Sequence, residues 1–286
     1  MNRAPGPDYD AIRDTLPCLY HTFATAKSLA MALDWAPAEA LGDAVGRDPE
    51  DTLVHFPTLQ TVLVRRGPFH GTVCAYGYQA RKPDSKFMQR PTGGAMTLLW
   101  AEGFGLVQAA SQTRYRRWEA SFPWMPDIRP LTPRIETVRD GVYYTNLYDF
   151  DAALLPDPDF ACNVSGALKD STRSACEATY RIRYAFSEAS LSKAYTVTGG
   201  PARIVEPVIV DEGVRSLSCD GRSVRIVRDG AALIITLSGG DARLTLDAAA
   251  SPLYRQVFPA LRCVPVVVDL PADAGETTLT FSLSEL

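Results

Sequence analysis

The sequence predicts a mainly β protein made of stacked antiparallel sheets, a β-sandwich or supersandwich, with a short N-terminal helical segment. Three observations lead there. Short apolar, β-branched runs recur from about Leu53 to the C-terminus, turn dipeptides containing glycine separate them, and the helical period is confined to the first 50 residues. A parallel α/β fold is disfavoured because no helices alternate with the strands.

The elements follow in order. Leu19, Phe23, Ala26, Ala30 and Leu33 recur at three- and four-residue steps, which puts one apolar face on a helix over residues 17–34. A second short helix fits residues 37–45, with Gly46 as its stop. Two helices cannot bury their own stripes and need a sheet beside them or partner helices. From there the period shortens to two. Strands are predicted at 61–65 and 72–76, then at 95–100 and 105–111 as a hairpin turning at Glu102-Gly103. A second hairpin, 134–138 and 142–147, turns at Asp140-Gly141, and residues 180–186 form a strand rich in aromatics and arginine. The runs 223–227, 232–237, 242–246 and 277–283 complete the set, with Asp220-Gly221, Asp229-Gly230 and Gly239-Gly240 as turns between them. Composition shifts over 151–170, rich in Pro, Asp and small residues. The expected organisation is therefore a helical lead-in at 1–50 and a β region at 51–286 with a sub-boundary near 151–170.

Composition narrows the function classes. The 286 residues carry a net charge of -4, which gives no electrostatic footprint for nucleic acid. No stretch is apolar for long enough to cross a bilayer as a helix, and residues 1–10 contain no signal-peptide pattern. The six cysteines are scattered, with no C-x-x-C pair for a zinc knuckle; Cys162 and Cys176 could bridge across a loop if the protein is exported.

Of the three histidines, His21, His55 and His70, none pairs with another at metal-ligand spacing, and no metal or cofactor is expected. His70 stands out. Alternating geometry puts His70, Thr72, Cys74, Tyr76 and Tyr78 on one face of a strand, with Gln79 and Arg81 at its far end. Rings that stack on a sugar's C–H face and guanidinium forks that pair with a carboxylate suit an acidic sugar. The same residue types suit proton abstraction beside a carboxylate. A half-buried strand with amphipathic residues explains the pattern equally well. Gly93-Gly94 permits close approach of the backbone to a neighbour or a ligand. The stretch 114–119, with Arg114, Arg116 and Trp118, can line a sugar groove or pack between sheets. Glu102, Glu119 and Glu136 are the acids nearest this aromatic-rich region.

The stretch 20–30 (YHTFATAKSLA) resembles the last helix before the β region of heparinase II/III-like proteins; 91–100 (PTGGAMTLLW) and 131–136 (LTPRIE) resemble segments of that β region. The resemblance implies a helical toroid followed by stacked antiparallel sheets. It also implies β-elimination on acidic, uronic-acid-containing polysaccharide and an extracellular or periplasmic home. The resemblance allows one β-region histidine to be carried over, for which His70 is the best placed; with the residue reading above, His70 and Tyr76 are the expected catalytic residues, and Tyr78, Gln79, Arg81, Arg114, Arg116 and Trp118 are expected to bind substrate. The chain departs from the pattern in lacking nearly all of the toroid, with the Asn, His and Tyr it would supply. A helical domain encoded upstream is thus an expected partner. A non-catalytic carbohydrate-binding module and a packing partner for a separate helical domain stay open as alternatives.

Overall fold

The computed structural model describes residues 51–77, 92–110, 131–210, 213–247, 256–257, 260–272 and 274–286. The helices expected at 17–34 and 37–45 lie outside the described residues. What is described is mainly β, as the turn-punctuated sequence predicts, and it divides into a small sheet, a large sheet and a two-stranded ribbon.

The small sheet is a meander in chain order: β1 (Thr52–Phe56), β2 (Thr61–Arg66), β3 (Phe69–Cys74), β4 (Ala95–Ala101) and β5 (Gly105–Ala109). All its neighbours are antiparallel. A one-turn 3-10 segment, Pro57–Leu59, links β1 to β2.

The large sheet takes β6 (Arg134–Arg139), β7 (Val142–Thr145), β8 (Ala153–Asp157), β9 (Ala161–Lys169), β10 (Ala175–Phe186), β11 (Ser190–Thr198) and β12 (Ala202–Ile209). It continues with β13 (Val214–Cys219), β14 (Ser223–Arg228), β15 (Ala231–Ser238) and β16 (Leu244–Leu246). The ribbon is β17 (Gln256–Val257) with β18 (Ala260–Leu261), and β19 (Cys263–Leu270) and β20 (Thr277–Glu285) return to the large sheet. Its order is β13-β14-β15-β20-β11-β10-β9-β7-β6-β12-β19-β16, with β8 paired to β9 off this path. The sheet curls so that its ends meet: Leu244 N–H donates to Gly221 O at 2.9 Å and Cys219 Sγ–H to Leu244 O at 3.5 Å. The stretch 151–170, compositionally distinct, supplies β8 and β9, and the ladder runs through it without a break.

Local chemistry accounts for the turns. Asp140 (φ 50°) and Gly141 (φ 77°) both occupy the left-handed region, as the two-residue hairpin between β6 and β7 requires. Alternation accounts for the layers. Val62, Val64, Phe69, Val73, Met96 and Leu99 on the inner face of the small sheet share one core with Val164, Ile182, Phe186, Leu191, Ile226 and Phe281 of the large sheet. Each such side chain contributes about 1.5–3 kcal/mol of apolar burial. Strand β6 pairs only with Arg203–Val205 of β12, and β5 lies beside the remainder; Arg228 clips this junction by donating to Leu106 O and Ile209 O, each at 3.3 Å.

The close approach that Gly93-Gly94 permits is to the one-turn 3-10 segment Asn146–Tyr148 and to β9. A Cβ on Gly93 would sit 1.7 Å from Asn146 O, and one on Gly94 would sit 2.1 Å from Val164 Cγ1. Tyr180 Oη–H donates to Gly93 O at 3.0 Å and Tyr184 Oη–H to Gly94 O at 2.9 Å, so two buried tyrosines read this backbone. The bridge considered between Cys162 and Cys176 is overturned, because both are free thiols. Cys162 pairs opposite Tyr184, while Cys176 lies eight residues earlier on β10, roughly 25 Å away along the strand.

Candidate functional site

His70 lies on β3, where burial alternates: Phe69, Gly71 and Val73 point to the core, and His70, Thr72 and Cys74 occupy the outer, partly exposed face. Register sets its neighbours. Arg65 on β2 and Trp100 on β4 are its cross-strand partners, so Arg65, His70 and Trp100 form a row across three strands. The His70 and Trp100 rings meet edge to face, with centroids 4.9 Å apart and planes at 83°, an arrangement that holds the imidazole by its aromatic edge. His70 Nε2 is shielded from solvent. Trp100 remains 36% exposed and offers an indole face beside it. The row therefore sets an imidazole, an arginine and an indole side by side on the outer face of the small sheet.

Tyr76 lies just past the end of β3 and is 38% exposed; its backbone N–H donates to Cys74 Sγ at 3.5 Å. Six residues of extended chain separate it from His70, about 20 Å. At that separation the two side chains cannot act on one atom. Tyr78, Gln79, Arg81, Arg114, Arg116 and Trp118 lie outside the described residues, as do His21 and Glu119.

Other groups flagged by the sequence have structural partners. Glu136 accepts from Arg134 Nε at 2.7 Å and from Tyr143 Oη at 2.9 Å, an arrangement in which burial pushes the Tyr143 phenol well above its usual range. Glu102 is exposed at the β4–β5 turn. Among the described residues, His55 Nε2 is buried without a hydrogen-bond partner, and no group of three His, Cys, Asp or Glu side chains is placed to hold a metal ion.

Two further clusters compete for attention. Arg66 borders an open cleft of about 510 Å³ with Phe160, Phe186 and Glu188. Its guanidinium is already held by Asp51 at 2.8 Å and Glu188 at 3.1 Å and lies 4.5 Å over the Phe160 ring, so it serves as a clasp between sheets. Deeper, Lys193 Nζ lies 2.6 Å from Glu206 Oε2 and 2.7 Å from Gln108 Oε1, with all three side chains fully buried. Tyr195 Oη–H donates to Glu206 Oε1. Desolvation pushes the Lys193 ammonium below its ordinary range, opposed by the Glu206 carboxylate. No solvent reaches this cluster, which excludes direct contact with a polysaccharide.

Sequence reading missed Arg65 and Trp100. Their signal is a register, His70 opposite residues 5 and 30 positions away, and register emerges only once the meander is paired.

The stacked antiparallel sheets share their fold with part of two solved heparinase-type lyases. A heparan sulfate lyase from Pedobacter heparinus superposes with a TM-score of 0.57 at 13% identity, covering 93% of this chain and 42% of that one. A heparinase III superposes with a TM-score of 0.56 at 11% identity, covering 96% of this chain and 43% of that one. At these identities the likeness is one of fold. In sequence, a broad-specificity ulvan lyase from Formosa agariphila is 28% identical over 284 residues, 93% of this chain and 43% of the relative. Residues 53–284 match the family described as the ulvan lyase C-terminal domain, and the chain belongs to that family. It spans less than half the length of the relatives it matches.

Proposed function

We propose that this chain is the β-sheet part of a lyase acting on acidic, uronic-acid-containing polysaccharide by β-elimination. One observation supports this above the others: a family match over residues 53–284 in a chain whose outer sheet face carries the Arg65–His70–Trp100 row. In the proposed chemistry a base takes the C5 proton of the uronate while a cation neutralises the carboxylate. The electron pair forms the C4–C5 double bond, the C4–O bond breaks, and the departing glycosidic oxygen receives a proton. His70 is the proposed base, with Arg65 near the carboxylate and Trp100 under the sugar ring. Tyr76, about 20 Å along the strand, is assigned to a different sugar of the same chain. Tyr78, Gln79, Arg81, Arg114, Arg116 and Trp118 are proposed substrate contacts, and a helical domain is the proposed second wall of the cleft.

The test is incubation of the full chain with ulvan and with heparan sulfate, following the ultraviolet absorbance of the unsaturated product. Activity that falls at least 100-fold in His70→Ala supports the reading. Full activity in both His70→Ala and Tyr76→Phe refutes the assignment of these residues.

A second reading is favoured by the shielding of His70 Nε2 beside a Trp100 that stays 36% exposed: a module that holds the glycan without cleaving it. Here the chain binds ulvan with no product formed, and a Trp118→Ala, Tyr78→Ala double variant loses affinity. Unchanged affinity in that variant removes the module reading.

A further inference from the structure

Three strands deliver an amine, a carboxamide and a carboxylate to one buried point. Gln108 lies on β5 opposite Leu99, Lys193 on β11 between Tyr184 and Leu279, and Glu206 on β12 opposite Val266. All three side chains are 0% exposed. Lys193 Nζ–H donates to Gln108 Oε1 at 2.7 Å and to Glu206 Oε2 at 2.6 Å. The same Oε2 accepts from Gln108 Nε2 at 2.5 Å, while Tyr195 Oη–H occupies Oε1 and fixes the carboxylate. One carboxylate oxygen thus touches both the amine and the amide nitrogen. The Phe281 ring closes the site 4.6 Å from Nζ. An ion pair needs no carboxamide, yet here the amine is pressed against one: Gln108 Cδ is a single bond from Oε1, so Nζ lies within about 4 Å of it.

We propose that Lys193 and Gln108 join in an intramolecular isopeptide bond, with Glu206 relaying the protons. Burial disfavours both charges of the pair, and moving one proton from the Lys193 ammonium to Glu206 removes both at once. The free amine is then a nucleophile in a site that desolvates it. Its lone pair attacks Gln108 Cδ and forms the Nζ–Cδ bond, while the carbonyl electron pair moves to Oε1. Glu206 passes its proton to Nε2 and takes one from Nζ. The carbonyl re-forms, the Cδ–Nε2 bond breaks and ammonia leaves. The balance is an amine and a carboxamide giving a secondary amide and ammonia, with no oxidant, reductant or further reactant. Exclusion of water keeps hydrolysis from competing. The bond spans 85 positions of chain and ties β5 of the small sheet to β11 of the large one. The proposal stands whether or not His70 is a base. Lys193→Met loses the ion pair and the bond alike, so mass rather than stability separates the two.

The experiment is the intact mass of the denatured full chain, followed until it no longer changes, with tryptic mapping of the same sample. The expected mass is below that of the sequence by one ammonia. A branched peptide should join the segments holding Gln108 and Lys193, and trypsin should no longer cut after Lys193. The unaltered sequence mass with cleavage after Lys193 overturns the proposal, as does an ammonia loss mapped to any other residue. Glu206→Gln keeps the shape and loses the relay, so its yield of branched peptide is expected to fall at least tenfold. An equal yield in that variant overturns the relay. If Glu206→Gln does not fold, Gln108→Met, which keeps the ion pair and lacks the carboxamide, replaces it. Its mass is expected to match its own sequence, and an ammonia loss there overturns the proposal.

Discussion

The buried cluster between the sheets gives the sharpest quantitative expectation. Lys193 on β11 and Glu206 on β12 pair at 2.6 Å with no exposure, Gln108 on β5 bonds both, and Tyr195 donates to the carboxylate. Lys193 Nζ also lies 4.6 Å over the Phe281 ring. Changing Lys193 to Met keeps the apolar stem but leaves the Glu206 carboxylate with only the Tyr195 hydroxyl and the Gln108 amide. Stranding one member of a buried ion pair costs about 3–5 kcal/mol. Removing both charges in Lys193→Met, Glu206→Leu removes the ion pair's desolvation penalty along with the attraction, but leaves the buried Gln108 amide and Tyr195 hydroxyl without those partners, at about 1–3 kcal/mol each. The cycle therefore predicts a double variant that is destabilised by less than the sum of its singles, a coupling of about 3 kcal/mol or more. Urea unfolding followed by intrinsic fluorescence reads it, with midpoints compared at constant m-value. A Lys193→Met midpoint within about 1 kcal/mol of wild type would refute the reasoning. So would a double variant as weak as the sum of its singles. Either result would mean that water reaches the cluster.

Other expectations follow from single contacts. Gly94→Ala puts a Cβ 2.1 Å from Val164 Cγ1 at a φ of 71°, and a loss of about 3 kcal/mol or more is expected; adding Val164→Ala relieves the clash but not the strained φ, so thermal melting should show partial recovery. The backbone N–H groups of Arg222 and Ser223, with the Ser223 hydroxyl, hold the Asp220 carboxylate below its usual range. A carboxylate depressed in the folded state contributes stability above its unfolded pKa and loses it as pH falls through the folded one, so unfolding midpoints should drop below about pH 4. Asp220→Ala should flatten that acid limb; an unaltered slope would disprove the attribution. Burial pushes the Cys162 thiol up to about 12 and Cys263 higher still, whereas Cys219 is exposed. Brief alkylation of the native protein should label Cys219 well before Cys162 or Cys263, as peptide mass mapping will show.

The fold class was legible in the residues because its signals are local. Asp140-Gly141 and Glu102-Gly103 announce hairpins, and runs such as Thr61 to Arg65 are β-branched and apolar. Strands less clear in isolation escaped. β12 and β19 are buried almost throughout, so they show no alternation, and β19 carries Pro265 opposite Pro207. β8 and β9 lie in a stretch rich in Pro and Asp that reads as loop; pairing with β10 and β7 overrides that composition.

The sequence by itself determined the antiparallel β class, the turns, the outward face of β3 and the presence of His70 on it, because hydrophobic period and turn chemistry act over a few residues. Tertiary structure decided which residues share a site. Trp100 and Arg65 reach His70 through strand register, Tyr76 lies past the end of β3, and Gly93-Gly94 packs against Asn146 and β9. Lys193, Glu206 and Gln108 come from three strands separated by up to 98 positions, and nothing in their local sequence marks them as one buried cluster. Such contacts are fixed by how whole sheets pack, a collective property of the core that no short window of sequence contains.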